Sequence, residues 1–147
     1  MTITAGEIDA ARSTDLRREV LRPHWAPGTP MHGDDLADAV HIGAVDGDTV
    51  VGACVLQPAP YPHGDEPGAW QLRGMATAEG RRGEGIGAVV LDAAVEAVRA
   101  RDGQFLWCKA REVAVAFYER NGFTVGSPRY VEPQTGLPHH DMYRRLA

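Results

Sequence analysis

Apolar residues recur at two different spacings along the chain, and these spacings predict where strands and helices lie. Two apolar runs, at residues 39–45 and 50–56, flank Asp46-Gly47-Asp48. An Asp-Gly pair between two such runs is typical of a hairpin turn, so the runs are predicted to be adjacent antiparallel strands. A third strand is predicted at residues 69–77, where apolar residues alternate loosely with polar ones.

Helical spacing begins after the third predicted strand. Between residues 86 and 101 the apolar positions follow a helical period: Ile86, Val89, Val90, Ala93, Ala94, Ala97 and Val98. A shorter helix is predicted at residues 15–21, with Ser13 or Thr14 as its N-cap. Another is predicted at residues 112–121, ended by Gly122 in a left-handed conformation. The remaining short apolar segments are predicted strands at residues 105–108, 123–125 and 141–146.

This order of elements predicts an α/β or α+β fold, with a mixed sheet packed by helices. The chain has 147 residues, which is the usual size of one domain, so we expect a single domain over residues 1–147. Two loops rich in proline and glycine are expected, at residues 22–35 and 58–68.

Charge and composition narrow the classes of function. The net charge of −5 provides no global basic field for nucleic acid, so no nucleic-acid partner is expected. No segment approaches the roughly 20 apolar residues of a membrane span, and the acidic start of the chain is unlike a signal peptide. Cys54 and Cys108 lie in apolar runs and are expected to be free, buried thiols. We therefore expect a cytoplasmic protein without a membrane partner.

A basic, glycine-rich segment stands between the third strand and the main helix. It reads Arg82-Gly83-Glu84-Gly85-Ile86-Gly87-Ala88 and follows Arg81. A helix N-terminus carries about four N–H groups without helical partners and a partial positive charge. Glycines let such a backbone approach a bulky anion, and arginines add charge-assisted hydrogen bonds. The segment predicts a diphosphate site, the alternative being an ordinary connection with a solvated arginine pair.

Two common phosphate motifs do not fit this segment. A P-loop requires Lys-Ser/Thr after its last glycine, and the dinucleotide fingerprint requires a different glycine spacing. The pattern that remains is Arg-x-x-Gly-x-Gly, at Arg82, Gly85 and Gly87. It resembles motif A of the GNAT family of N-acetyltransferases, and residues 114–123 (Ala-Val-Ala-Phe-Tyr-Glu-Arg-Asn-Gly-Phe) resemble the family's motif B.

The resemblance implies a fold, a co-substrate and a reaction. The implied fold is a single-domain, mostly antiparallel mixed sheet flanked by helices, with a splayed central strand. The implied co-substrate is acetyl-coenzyme A, whose acetyl group passes directly to an amine in a ternary complex without a metal. The scattered histidines show no metal-ligand spacing either.

The resemblance also implies roles for individual residues. Tyr118 matches the tyrosine that donates a proton to the departing thiolate, although it could instead be a core aromatic. Val113, Ala114 and Phe117 are expected to form the packing stripe of the same helix. The residues implied in coenzyme binding are Met75, Thr77, Arg82, Gly83, Glu84, Gly85, Ile86, Gly87, Ala88 and Arg111. Within this set, the N–H of Met75 is expected to polarise the acetyl carbonyl. Arg111 departs from the pattern, since many members have asparagine at that place.

Several questions stay open at the level of sequence. The acceptor is expected to be an amine of a small molecule or a peptide, and dimerisation stays open. The residues that could serve as general base are Asp65, Glu66, His139, His140 and Asp141. Two other functions compete with catalysis: a non-catalytic acyl-coenzyme A binding or sensing module, and a different phosphate binder.

Overall fold

The chain forms strands and helices throughout the computed structural model, which describes residues 2–146. In chain order the elements are β1 (Ile3–Glu7), α1 (Ala10–Leu21), β2 (Val40–Asp46), β3 (Thr49–Pro58), β4 (Ala69–Thr77), α2 (Ile86–Arg99), β5 (Phe105–Arg111), α3 (Val115–Arg120), β6 (Thr124–Val125), β7 (Tyr130–Val131) and β8 (Pro138–Arg145). A short 3₁₀ turn, Glu112–Ala114, leads into α3.

The strands form one sheet in the order β1-β2-β3-β4-β5-β8-β6, with β7 paired to β8. Every pair is antiparallel except β4 with β5. The connection from β4 to β5 runs through α2, as a parallel pair requires. The predicted fold class, a mixed and mostly antiparallel sheet with helices, is confirmed.

The sheet opens between its two parallel strands. β4 and β5 pair from Ala69 with Phe105 up to Leu72 with Cys108. Both strands then continue, β4 to Thr77 beside β3 and β5 to Arg111 beside β8. We call the gap beyond Leu72 and Cys108 the fork. The divergence of β4 from β5 at the fork is the splayed central strand that the family resemblance implies.

Helices cover the two faces of the sheet differently. The main core lies on the face covered by α2 and α3, where Ile42, Leu72 and Met142 pack with α2 residues such as Val90. Neighbouring residues of a strand point to opposite faces. His41, next to Ile42, accordingly contacts Ser13 of α1 on the other face. We call these the α2 face and the α1 face.

Local patterns predicted some boundaries well and others poorly. β4 was predicted within its observed bounds, and Gly122 has the expected left-handed φ of 89°. α1 begins at Ala10 after Asp9, so the prediction that Ser13 or Thr14 caps it is wrong. Both residues lie inside the helix, and their hydroxyl groups contact His41 and Asp34. The strands β1 and β7 were not predicted.

The two cysteines, Cys54 and Cys108, are buried and free, as expected. Burial raises the pKa of the Cys54 thiol to about 12. Within residues 2–146, no helix has the length and hydrophobicity that crossing a membrane requires.

Candidate active site

The segment at residues 82–88, which we call the glycine turn, leads into α2, and its residues 82–85 are exposed. Gly83 and Gly85 have positive φ values of 85° and 79°, and Gly85 is the N-cap of α2. A Cβ added at either glycine would meet no atom within 4 Å, so the space beside the turn is empty of other groups. The N–H groups of Ile86, Gly87 and Ala88 belong to the first helical turn and have no acceptor within the helix. This arrangement fits a diphosphate.

The two arginines of the turn have different surroundings. Arg81 donates to Asp46 at 3.1 Å and to Glu84 at 3.0 Å, which anchors the turn to the end of β2. Hydrogen bonding to Glu84 raises the pKa of Arg81. Arg82 is exposed beside the open backbone. Of the two arginines, Arg82 is therefore the exposed one, while Arg81 and Glu84 stabilise the turn.

The glycine turn, the fork and the second motif meet in one region. Met75 and Thr77 lie on the part of β4 that has left β5, and both are half-buried. The turn follows directly after this strand. At the first turn of α2, a Cβ on Gly87 would lie 3.0 Å from the ring of Phe117, so α3 approaches α2 closely there.

Tyr118 is buried at the base of the fork. Its side chain is 6% exposed, and its ring packs against Phe117 and Phe123 with centroid distances of 5.1 and 5.3 Å. Its hydroxyl lies beside the thiol of Cys108, the last β5 residue paired with β4. Burial first, and then the nearby thiols, raise the pKa of Tyr118 well above its ordinary value. The phenol is therefore protonated at neutral pH.

Two further residues singled out in the sequence, Val113 and Arg111, lie just before α3. Val113 was expected to pack, but it is 85% exposed because it lies in the 3₁₀ turn before α3, so that prediction is wrong. Tyr118 occupies the core position instead. Arg111 ends β5 as an exposed residue in register with His139 of β8.

Of the five candidate bases, two lie in the loop before β4 and two are histidines beside backbone carbonyls. Asp65 is exposed in a loop, and Glu66 accepts a hydrogen bond from Arg145 at 2.8 Å on the surface. His139 and His140 each place Nδ1 beside a backbone carbonyl, that of Leu137 at 2.9 Å and that of Ser127 at 3.2 Å.

Asp141 differs from these four because it is buried and its carboxylate is bonded to two titratable side chains. It is 5% exposed, and its Oδ2 lies 2.6 Å from Nε2 of His63. The hydroxyl of Tyr130 donates to Oδ1 at 2.5 Å, and burial together with this carboxylate raises the pKa of Tyr130. His63 is half-exposed, so the cluster connects the interior to the surface. His63 was missing from the candidates predicted from sequence.

Tyr118 and Asp141 approach the fork from opposite faces of the sheet. Tyr118 contacts Cys108 on the α2 face. Asp141 pairs in register with Lys109, and its neighbour Met142 points into the α2-face core. Asp141 therefore lies on the α1 face, one residue beyond the end of the β4–β5 pairing. Among residues 2–146, no group of three His, Cys, Asp or Glu side chains is arranged to hold a metal ion.

Comparison with known proteins agrees with this geometry. The sequence model of the Acetyltransferase (GNAT) family matches residues 10–123. The uncharacterized N-acetyltransferase YitI of Bacillus subtilis (strain 168) is 29% identical over 140 residues, which cover 95% of this chain and 93% of that protein.

Solved structures of low sequence identity share the fold. An aminoglycoside 6'-N-acetyltransferase complexed with coenzyme A superposes with a TM-score of 0.76 at 17% identity, covering 100% of this chain and 98% of that one. The ribosomal-protein-S18-alanine N-acetyltransferase of Escherichia coli gives a TM-score of 0.72 at 14% identity, covering 99% and 95%. Since the family model matches well over half of the sequence, the chain belongs to the GNAT family of acetyltransferases.

Proposed function

We propose that this protein transfers an acetyl group from acetyl-coenzyme A to an amine. The observation that carries the proposal is the fork, where β4 leaves β5 and leads into the glycine turn. A strand edge released in this way presents N–H and C=O groups to an extended ligand. The pantetheine arm of coenzyme A is such a ligand, and its diphosphate would then reach the start of α2.

The proposed donor site uses mostly backbone. The first-turn N–H groups of α2, together with the exposed Arg82, would hold the diphosphate. The backbone of Met75 and Thr77 would pair with the pantetheine arm inside the fork. This assignment explains why the glycines Gly83 and Gly85 stand beside open space, since a side chain there would occupy the space of the ligand.

The proposed reaction is a direct transfer in a ternary complex. The amine nitrogen attacks the thioester carbonyl carbon, and the oxyanion that forms accepts a hydrogen bond from the N–H of Met75. The C–S bond then breaks and leaves a thiolate. The hydroxyl of Tyr118, which lies beside the Cys108 thiol, donates its proton to this thiolate.

The amine must also lose a proton, and we assign this task to His63 and Asp141. The Asp141 carboxylate accepts from Nε2–H of His63, which leaves Nδ1 of the imidazole able to take a proton from the amine. Their position on the α1 face supports the assignment, because an amine entering from that face meets the thioester opposite Tyr118. The amine and the proton donor Tyr118 would then approach the thioester from opposite faces of the sheet.

The acceptor class is an amine of a small molecule or a peptide. The solved structures named above are of enzymes named for an aminoglycoside and for an alanine of ribosomal protein S18, so this fold is compatible with both kinds of acceptor. The free thiols of Cys54 and Cys108 suit a reducing compartment, and we therefore place the activity in the cytoplasm.

The proposal is tested by mixing the protein with acetyl-coenzyme A and a panel of amines. The panel contains polyamines, amino acids, aminoglycosides, and peptides with a free N-terminus or a lysine. Release of free coenzyme A thiol is followed together with the mass of each amine. We expect one amine class to gain the mass of an acetyl group at the rate of thiol release. Binding of acetyl-coenzyme A without transfer to any amine would favour the acyl-coenzyme A sensing alternative.

A further inference from the structure

The peptide unit between Gly74 and Met75 lies in a β-bulge at the edge of the fork. Val55 pairs with Arg73 and Ala53 with Ala76, so Gly74 and Met75 together stand opposite Cys54. Gly74 adopts a φ of 63°, which favours glycine. A bulge of this kind turns a backbone group away from the ladder and aims it elsewhere.

A buried arginine holds the carbonyl of this peptide. Arg17 of α1 is 2% exposed, and its Nε donates to the Gly74 carbonyl oxygen at 2.9 Å. Its other nitrogens are fixed by Asp34, with Nη1 2.7 Å from Oδ2 and Nη2 3.2 Å from Oδ1. A Cβ on Gly74 would lie 2.8 Å from Cζ of Arg17, so the guanidinium occupies the space that this glycine leaves.

The carbonyl of Gly74 and the N–H of Met75 belong to one planar amide. In a trans peptide these two groups point in opposite directions, and the described residues contain no cis peptide bond. A carbonyl held on the α1 side therefore directs the Met75 N–H away from α1. A cation bonded to the carbonyl oxygen also polarises the amide and makes its N–H a stronger donor.

We propose that Arg17 is a positioning residue that orients and polarises the Gly74–Met75 peptide, so that the Met75 N–H stabilises the oxyanion of acetyl transfer. This inference rests on the proposed function. A purely structural role is the competing explanation, because the Arg17–Asp34 pair also attaches α1 and the following loop to the sheet. The two roles differ in which variants lose turnover.

The test compares Arg17→Met and Arg17→Lys with Asp34→Asn and Val98→Ala. Asp34→Asn weakens the same ion pair but keeps Arg17, whose Nε donates to the Gly74 carbonyl. Val98→Ala removes methyl groups from a fully buried core residue on α2 and lowers stability alone. Arg17→Lys keeps a cation that can reach the carbonyl, and it serves if Arg17→Met does not fold.

We expect kcat to fall at least about tenfold in Arg17→Met, with the Kd for acetyl-coenzyme A unchanged, and less than about threefold in Asp34→Asn and Val98→Ala. Arg17→Lys should recover part of the loss. The amide ¹⁵N and ¹H shifts of Met75 should move in Arg17→Met and stay in Val98→Ala. Equal kcat losses in Arg17→Met and Asp34→Asn, or an unmoved Met75 amide, would overturn the proposal. A wild-type protein that transfers no acetyl group would instead refute the proposed function, and the Met75 shifts would still decide whether Arg17 controls this peptide.

Discussion

Arg17 and Asp34 form an ion pair in the interior of the α1 face, with Nη1 and Oδ2 2.7 Å apart and both side chains less than one-tenth exposed. Burial alone would raise the pKa of the Asp34 carboxyl. Hydrogen bonds from Arg17 and Thr14, together with the charge of Arg17, outweigh burial and lower this pKa below its ordinary value. The free energy of unfolding should therefore depend on pH through the Asp34 carboxyl.

The first prediction concerns that acid dependence. A carboxyl whose pKa is lowered by folding stabilises the fold fully when the pH is above its unfolded-state pKa of about 3.9. This stabilisation is lost as the pH falls through the lowered pKa of the folded state. At pH 7, Asp34→Asn should lower the free energy of unfolding by about 3 kcal/mol. Thermal unfolding of both proteins between pH 7 and pH 3 checks this. The difference in Tm should shrink on the acid side, and a constant difference would contradict the assignment.

The second prediction separates backbone strain from crowding at Gly74. Gly80 also has a positive φ, 79°, but a Cβ there would meet no atom within 4 Å. Gly80→Ala should therefore cost only the strain, about 1 kcal/mol. Gly74→Ala should cost about 3 kcal/mol, because its Cβ also displaces the buried guanidinium of Arg17. Denaturant unfolding measures both values, and equal costs would show that Arg17 moves aside freely.

The third prediction tests the phenol of Tyr118. Tyr118→Phe keeps the packed ring and removes the donor, so kcat should fall about 100-fold while the Kd for acetyl-coenzyme A stays the same. Cys108→Ala is the matched control, since it removes the thiol beside Tyr118 but keeps the phenol. Steady-state kinetics of the two variants should differ clearly. If Tyr118→Phe turns over like the wild type, the hydroxyl has no part in the mechanism.

The fourth prediction tests the acceptor side. Asp141→Asn should lower kcat/KM for the amine at least about tenfold, because His63 loses the carboxylate that orients it. Glu66→Gln is the control, since Glu66 is bonded to Arg145 at the surface. The Kd for acetyl-coenzyme A should be unchanged in both. A larger loss in Glu66→Gln than in Asp141→Asn would move the base away from the His63–Asp141 pair.

Local sequence patterns predicted the elements that flank the proposed donor site. The bounds of β4 and the start of α2 at Ile86 follow from signals within a few residues, namely strand alternation, glycines and a helical period. β1 was missed because Ile3–Glu7 is a short, mostly exposed edge strand without a clear apolar pattern. The start of α1 was misplaced because hydroxyl residues resemble caps even where they bond to neighbouring elements.

The proposed His63–Asp141 base and the contact of Arg17 with Gly74 depend on pairings that no local pattern contains. His63 and Asp141 are 78 positions apart in the chain, and Arg17 and Gly74 are 57 apart. Each pair forms only when strands and helices from distant segments assemble. A histidine in a loop and an arginine on a helix carry no signal of such partners, so the structure was needed to find them.

The most direct measurement is a calorimetric titration of the protein with acetyl-coenzyme A, beside Gly85→Glu and Gly28→Glu. Gly28 is matched to Gly85, with a φ of 82° and open space around it, but it lies in the loop after α1. We predict binding near −8 kcal/mol, a Kd of about 1 μM, for the wild type and Gly28→Glu, and no binding for Gly85→Glu. Absence of binding by a folded wild-type protein, or equal binding by both variants, would contradict the assignment of the glycine turn as the coenzyme A site.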